Sequence, residues 1–472
     1  MKESLNFPSL YYKIAEVIKP SRAYLVGGAV RDLLLKKEIH DLDFALPEGT
    51  ISTAKKIADR LKGDFFILDK ERQTARVILQ PESDPRLVVD FTTFQGDSIE
   101  EDLQTRDFTI TSMAIDIHQE DQIIDPCQGA QDLKDGLIRS TSTHALRDDP
   151  LRGIRAVRMA AQFGFLILPD TKEQIRKTAK HLSEASPERI RDEIFRILDG
   201  PHQGTALQAL QILGLYPQVI TNPYTPEQAA TIRHLEALWS LLREEHNQET
   251  AANWAFGLVA HRLGRYRKEI QLHLDYQPVV GRTIYQLSFL DVLLSVSVRL
   301  VKDPKQKNNS QYSSPAENLH LSNQEHERLK NGNNAGKAFR HLTDMGETLS
   351  PLTIYQYFRE FSDAGVEGIF LALAGYLAVE NQAIQQTGWM NQLNTARSLL
   401  EGWWEKRERW VDPPGLINGN DLQEELGIDP GPEIGRLLEK LREAQVRDNI
   451  QTRERAWEYL RQSLETEGLS GQ

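Results

Sequence analysis

One cysteine, Cys127, is present among 472 residues. An internal disulfide is therefore impossible, and a reducing compartment is the expected setting. None is needed, because a chain of this length can bury ample apolar surface. Cys127, beside Pro126, reads as a loop residue. Long apolar runs are also missing: none approaches the ~20 residues that cross a bilayer. The first residues lack the basic, apolar and small-residue order of a secretory signal. A cytoplasmic protein with no membrane partner is expected. Excess positive charge is absent too. Lys and Arg number 56 against 68 Asp and Glu, a formal net charge of −12. That sum argues against nucleic acid as a partner, but local clustering decides such binding more than the total. Basic clusters occur at HRLGRYRK (261–268), RLVKDPKQK (299–307) and residues 147–158. Such clusters are commonly only solvated faces, so they serve as support and no more.

Several domains are expected at this length. Residues 1–145 alternate strand and helix patterns. FFILDK (65–70), ARVILQ (75–80) and LVVDFTTF (87–94) are β-rich runs suited to a small mixed sheet. From Asp149 onward apolar residues recur at helical spacing, with few strand signals. The expected class is α+β, a mixed-sheet head (1–145) followed by an all-α neck (146–205), body (206–302) and tail (321–472). The polar stretch DPKQKNNSQYSSPAEN (303–318) reads as the core of a linker over 303–320.

The densest chemistry lies in YLVGGAVRDLLLKKEIHDLDFAL (24–46). Tyr24, Leu25 and Val26 form a short buried strand. Gly27-Gly28 lets the backbone turn tightly and approach a ligand where a Cβ would clash. Ala29 to Lys37 reads as a helix whose first amides face that turn, a ready phosphate site. Asp41 and Asp43 alternate on a second strand, so both side chains share a face. Two adjacent carboxylates repel unless a cation sits between them. Mg²⁺ takes oxygen ligands and leaves positions for substrate phosphates. The unit predicts metal-assisted phosphoryl or nucleotidyl transfer.

This stretch resembles the signature of the class II tRNA nucleotidyltransferase/poly(A) polymerase family, within the polymerase-β-like superfamily. Two further segments are similar in the same order: EEDLQTRDFTITSMAID (100–116), and RDDPLRGIRAVRMAAQFGF (147–165), which is like the family's nucleotide-selecting helix. SPERIRDEIFRIL (186–198) looks like the helix that follows. The likeness is dense from about residue 20 to 200 and thinner beyond. It implies that Asp41 and Asp43 hold Mg²⁺. Asp90, in LVVDFTTF, is the expected third metal ligand, with a strand-end cap as the alternative. Gly28, Arg31 and Arg106 match nucleotide-contacting positions, Arg106 with a catalytic part near the triphosphate. Arg31 could instead pair with Asp32 or Asp43. WVDPPGLINGNDLQEELGIDPGPEIGRLLEKLREAQ (410–445) resembles the family's tail module. There Gly431-Pro432 opens a helix near Glu433, and a plain helix–turn–helix packing unit fits equally.

Pro150 suits the first turn of a helix. Asp149, Arg152, Arg155 and Arg158 recur every three residues, so neighbours share a face. Asp offers only acceptors and Arg only donors. Such a pair, edge-on to a base, matches an amino group beside a ring-nitrogen acceptor. Cytosine and adenine present that edge, whereas uracil and guanine would leave buried groups unpaired. Arg155 and Arg158 would extend toward the phosphates. An ordinary i, i+3 salt bridge is the bland alternative.

Some positions depart from the family pattern. Thr105 precedes Arg106-Asp107 where a second arginine is usual, Thr111-Ser112 replaces Asn-Ala, and Lys36 follows Leu34-Leu35. Between the DFTTF strand and EEDL only Gln95 to Ile99 intervene. The resemblance implies that so short a loop accompanies enzymes that stop after CC. The expected function is addition of CMP to the tRNA 3′ end from CTP, with pyrophosphate released and use of ATP left open. The expected partners are tRNA, CTP, ATP and a separate A-adding enzyme acting on the same tRNA. Two alternatives keep the fold: a bacterial poly(A) polymerase, and a non-catalytic RNA-binding protein.

Overall fold

The computed structural model describes residues 7–19, 21–39, 41–80, 87–220, 222–243, 253–295, 319–346, 348–379 and 384–466. The expected linker core (303–318) and the basic cluster at 299–307 lie outside them. The chain forms two compact units, Met1–Val219 and Ile220–Gln472. The division falls inside the expected body (206–302), whose first residues, 206–219, belong to the first unit.

The first unit is built on a seven-stranded sheet. Its strands are β1 (Tyr24–Val26), β2 (Asp41–Leu46), β3 (Asp64–Asp69), β4 (Thr74–Leu79), β5 (Leu87–Thr93), β6 (Ala114–Asp116) and β7 (Ile123–Ile124). The spatial order is β3-β4-β5-β2-β1-β6-β7. Only β2 and β5 pair in parallel within it. Alternation along each strand sorts the two faces. Phe44 stacks on Phe91 at 5.5 Å, and Tyr11 stacks on Phe44 at 6.1 Å. Tyr11 belongs to α1 (Ser9–Ile18), which with α3 (Thr50–Leu61) covers this apolar face. The opposite face keeps Asp41 exposed and Asp43 and Asp90 half-buried. The remaining helices of the sheet region are α2 (Gly28–Leu34), α4 (Ile99–Thr105) and α5 (Gly129–Asp135).

Next come α6 (Ala145–Asp148), α7 (Arg152–Phe163), α8 (Pro169–Thr178) and α9 (Pro187–Asp199). Few strand signals follow Asp149, and among the described residues one short strand lies beyond it. Leu166–Ile167 pairs in parallel with Leu137–Ile138 and ties the end of α7 to the chain that precedes it. Asp149 and Pro150 also lie before the helix rather than in its first turn, since α7 starts at Arg152.

The second unit is helical among its described residues. Pro226–Leu242 and Asn323–Asp344 pack against the apolar Ala364–Val379 helix, with Trp239 and Phe370 in contact at 4.5 Å. A Cβ at Gly368 would lie 2.5 Å from the Ala335 Cβ, so only glycine allows these helices so close. Glu367, buried beside that contact, accepts hydrogen bonds from Arg328 Nη2 and His273 Nε2, both at 2.9 Å. The Gly431-Pro432 signal does open a helix, Pro432–Asp448, with proline in its first turn. That helix and its neighbours share a small core of Ile417, Leu422, Leu437, Leu441, Ala456 and Leu460. Among the described residues no single helix is long and apolar enough to cross a membrane.

Candidate active site

β1 runs into Gly27, which has φ 72° and ψ −133°. A larger residue would be strained there. Its Cβ would also sit 3.2 Å from Arg106 Nη1 and 3.4 Å from Asp43 Oδ2. The Gly-Gly turn is therefore where the backbone, a guanidinium and a carboxylate converge. α2 begins one residue earlier than expected, at Gly28, and ends at Leu34.

A cleft of about 640 Å³ opens at this point. Gly28, Arg31, Asp41, Asp43, Arg106, Asp149, Arg152, Arg155 and Arg158 all line it. Asp90 does not. It stands in register beside Asp43 on β5, but Arg76 grips both its oxygens at 2.7 and 2.8 Å. Burial raises the Asp43 carboxyl from its ordinary value to about 6, and the negative charges of Asp90 and Asp41 add to the rise. Arg106 opposes it.

The arginines of the cleft are held in place before any substrate arrives. Arg31 forms a two-pronged pair with Asp32 at 2.8 and 2.9 Å and lies over the Phe163 ring. Of the alternatives open for Arg31, pairing with Asp32 is the one seen. Arg106 donates through Nε and Nη2 to one oxygen of Asp102 at 3.2 and 3.1 Å. Arg155 donates to Asp107 at 2.8 Å, and Arg158 to the buried Glu193 at 2.7 Å. Burial would raise Asp107, but Arg155 and the Thr111 hydroxyl hold its carboxyl below the usual range. Burial depresses Arg158, with Glu193 opposing.

The Asp149–Arg152 salt bridge, the alternative to a base-selecting pair, is not formed. Asp149 accepts from the Leu151 amide at 3.2 Å and from Arg189 at 2.6 Å. Arg152 donates instead to the carbonyls of Ala145, Thr105 and Arg106 at 3.1 to 3.3 Å. Both still border the cleft, so their free edges face one space with an acceptor and a donor. Asp107, Thr111, Gln162 and Arg196 also line it without having been given a role from the sequence. Their signal was the local motif around each. What they touch was not legible.

Six arginines thus gather in one cleft of a chain with net charge −12. Held by carboxylates or carbonyls, their remaining donors are pre-aimed at an anion with several oxygens. The donor set at Asp41 and Asp43 suits a hard cation. Two carboxylates on one strand face crowd negative charge against a half-buried position, and the open cleft leaves room for substrate phosphates as further ligands. Among the described residues no group of three His, Cys, Asp or Glu is arranged to enclose a metal by itself.

Three family models match the chain: the poly A polymerase head domain over residues 23–139, the RNA- and SrmB-binding site of polymerase A over 164–230, and tRNA nucleotidyltransferase domain 2 over 317–459. A relative from Geobacter sulfurreducens, named CC-adding tRNA nucleotidyltransferase, is 30% identical over 93% of this chain and 91% of its own. The chain belongs to the tRNA nucleotidyltransferase family. It is accordingly an enzyme. A CC-adding relative from Synechocystis sp. is 28% identical over 93% of both chains, and an A-adding one from Deinococcus radiodurans is 27% identical over 93% and 94%. Solved structures share the fold. The Thermotoga maritima CCA-adding enzyme complexed with tRNA superposes with a TM-score of 0.63 and 20% identity, covering 98% of this chain and 97% of that one. A CCA-adding enzyme with CTP superposes with a TM-score of 0.64 at 20% identity, covering 98% and 96%.

Proposed function

We propose that this tRNA nucleotidyltransferase adds CMP twice to the tRNA 3′ end from CTP, releasing pyrophosphate each time, and stops at CC. A separate A-adding enzyme would then complete the terminus. The observation that carries the CC reading is the connection from β5 to α4. Only residues 94–98 lie between the two elements. The Gln95 amide donates to Asp102 at 2.9 Å, and the Asp97 amide donates to Glu101 at 2.9 Å. A link this short, pinned twice to the helix it enters, has no length left to reshape the pocket from cytosine to adenine.

Asp41 and Asp43 would hold Mg²⁺. When bound, the ion lowers the pKa of the attacking 3′-hydroxyl and neutralises the triphosphate. Asp90, engaged by Arg76, adds negative charge beside Asp43 rather than an open ligand position. The Gly27-Gly28 turn and the pre-held Arg31 and Arg106 take the triphosphate. Asp149 accepts from the cytosine amino group while Arg152 donates to its ring nitrogen. Arg155 and Arg158 support the phosphates from α7. The neck segment (146–205) would thus select the base, and the helical body and tail would grip tRNA by its shape and backbone.

Incorporation assays test this reading. The enzyme receives Mg²⁺ and a tRNA ending at the discriminator base, with CTP, ATP or both, and products are resolved to one nucleotide. Two additions with CTP and none from ATP are expected. A third addition from ATP refutes the short-link argument, and long A-tracts would indicate a poly(A) polymerase.

A further inference from the structure

We propose that the open face of the sheet beyond Asp90 seats the 3′ end of the RNA, with Phe66 as a stacking platform for one of its bases. The inference rests on reading Asp41 and Asp43 as the metal-holding pair. A single row of side chains leads from those carboxylates to the sheet edge. Asp43 on β2 is in register with Asp90 on β5, Asp90 with Arg76 on β4, and Arg76 with Phe66 on β3. Directly opposed residues on neighbouring strands project from the same face. The Arg76–Asp90 ion pair at 2.7 Å shows this for the middle of the row.

Phe66 stands at the end of the row, on an edge strand, and is 49% exposed. Other phenylalanines of the same unit, such as Phe44, Phe91 and Phe108, are buried. The attacking hydroxyl must reach Asp41 and Asp43 from a side that the incoming nucleotide does not fill. The cleft lies toward Gly27, Gly28 and Arg106, whereas Asp90, Arg76 and Phe66 do not line it. Strands β5, β4 and β3 therefore form the vacant approach. With neighbouring strands ~4.8 Å apart, Phe66 sits about 14 Å from Asp43 across the sheet, within reach of a short single strand.

Arg76 stands between them. Its Nε and Nη2 are held by Asp90, and Nη1 makes no hydrogen bond among the described residues. That group can meet a backbone phosphate. Every base has a π-face, so an aromatic platform accepts whichever base ends the strand. Such tolerance suits an enzyme whose RNA substrates grow and change their terminal base as it works.

Steady-state kinetics of Phe66→Ala, Phe66→Trp and Ile67→Ala test the proposal, with tRNA and CTP varied separately. Ile67 is the matched control: it is 42% exposed on the same strand, but it pairs with Ala75 and so projects from the other face. Phe66→Ala should raise the KM for tRNA roughly tenfold while the KM for CTP holds. Phe66→Trp should restore it, and Ile67→Ala should match the parent enzyme. A KM for tRNA in Phe66→Ala equal to that of Ile67→Ala overturns the proposal, as does an equal rise in both KM values. Asp43→Asn is assayed in parallel. Loss of incorporation there supports the carboxylate reading, and full incorporation removes it whatever Phe66→Ala does.

Discussion

The raised Asp43 carboxyl ties stability to pH and, on the function proposed above, to metal as well. Its ordinary value is 3.8, and burial with its acidic neighbours brings it to about 6. The difference corresponds to about 3 kcal/mol, of which partial solvent contact of the half-buried group leaves about 1–2 kcal/mol. The sign follows from the direction. A carboxyl raised on folding favours the folded protein at low pH, and that advantage is lost as pH rises from 3.8 through about 6. At pH 7.5 without divalent ions, an ionised Asp43 is therefore a cost. For a unit of this size, about 1–2 kcal/mol moves Tm by roughly 2–8 °C. Asp43→Asn removes the charge and should raise Tm by that amount at pH 7.5, with the gain vanishing near pH 4. Added Mg²⁺ should stabilise the parent enzyme and not the variant. Calorimetry across pH, with and without Mg²⁺, reads all of these at once. The parent's KM for Mg²⁺ should also climb as pH falls through 6, because protons compete for the same oxygens. An Asp43→Asn variant with the parent's Tm at pH 7.5 would refute the reasoning.

Two further outcomes follow from particular contacts. Gly27→Ala forces a Cβ onto a backbone at φ 72°, 3.2 Å from Arg106 Nη1, which should cost about 1–2 kcal/mol and lower kcat while the fold persists by circular dichroism. Glu367→Ala removes one of the two carboxylates that hold the Arg328 guanidinium, 12% exposed and still paired with Asp363 at 2.8 Å, and also removes the acceptor of His273; it should cost about 1–3 kcal/mol in denaturant unfolding. Burial works against the ionised Glu367, but Arg328 and His273 hold its carboxyl below the ordinary value. Its stabilisation is therefore present above that value and fades as pH falls through the lowered one.

Features that depend on the backbone within a few residues were legible in the sequence. Gly27-Gly28 announces a turn because only glycine tolerates the backbone found at Gly27. Asp41 and Asp43 share a face because strands alternate. The three β-rich runs became β3, β4 and β5 with ends shifted by at most one residue, and Pro432 opened its helix as expected. Resemblance to a family then supplied the order of motifs along the first 200 residues. Partners distant in sequence were not legible. Arg76 is 14 residues from Asp90, Arg189 is 40 from Asp149, and Arg152 is 47 from the Thr105 carbonyl it holds. Nothing local distinguishes a carboxylate with open ligand positions from one gripped by an arginine on the next strand. Periodicity placed Asp149 and Arg152 on one helix face, but the helix begins only at Arg152 because the preceding turn is fixed by contacts elsewhere. The sequence by itself determined which residue types meet at the turn and on the strand. Tertiary structure alone decided which charges are already paired, which edges remain for a nucleotide, and which face of the sheet stays open. Pairing is set by strand register and helix packing, and these are properties of the whole unit.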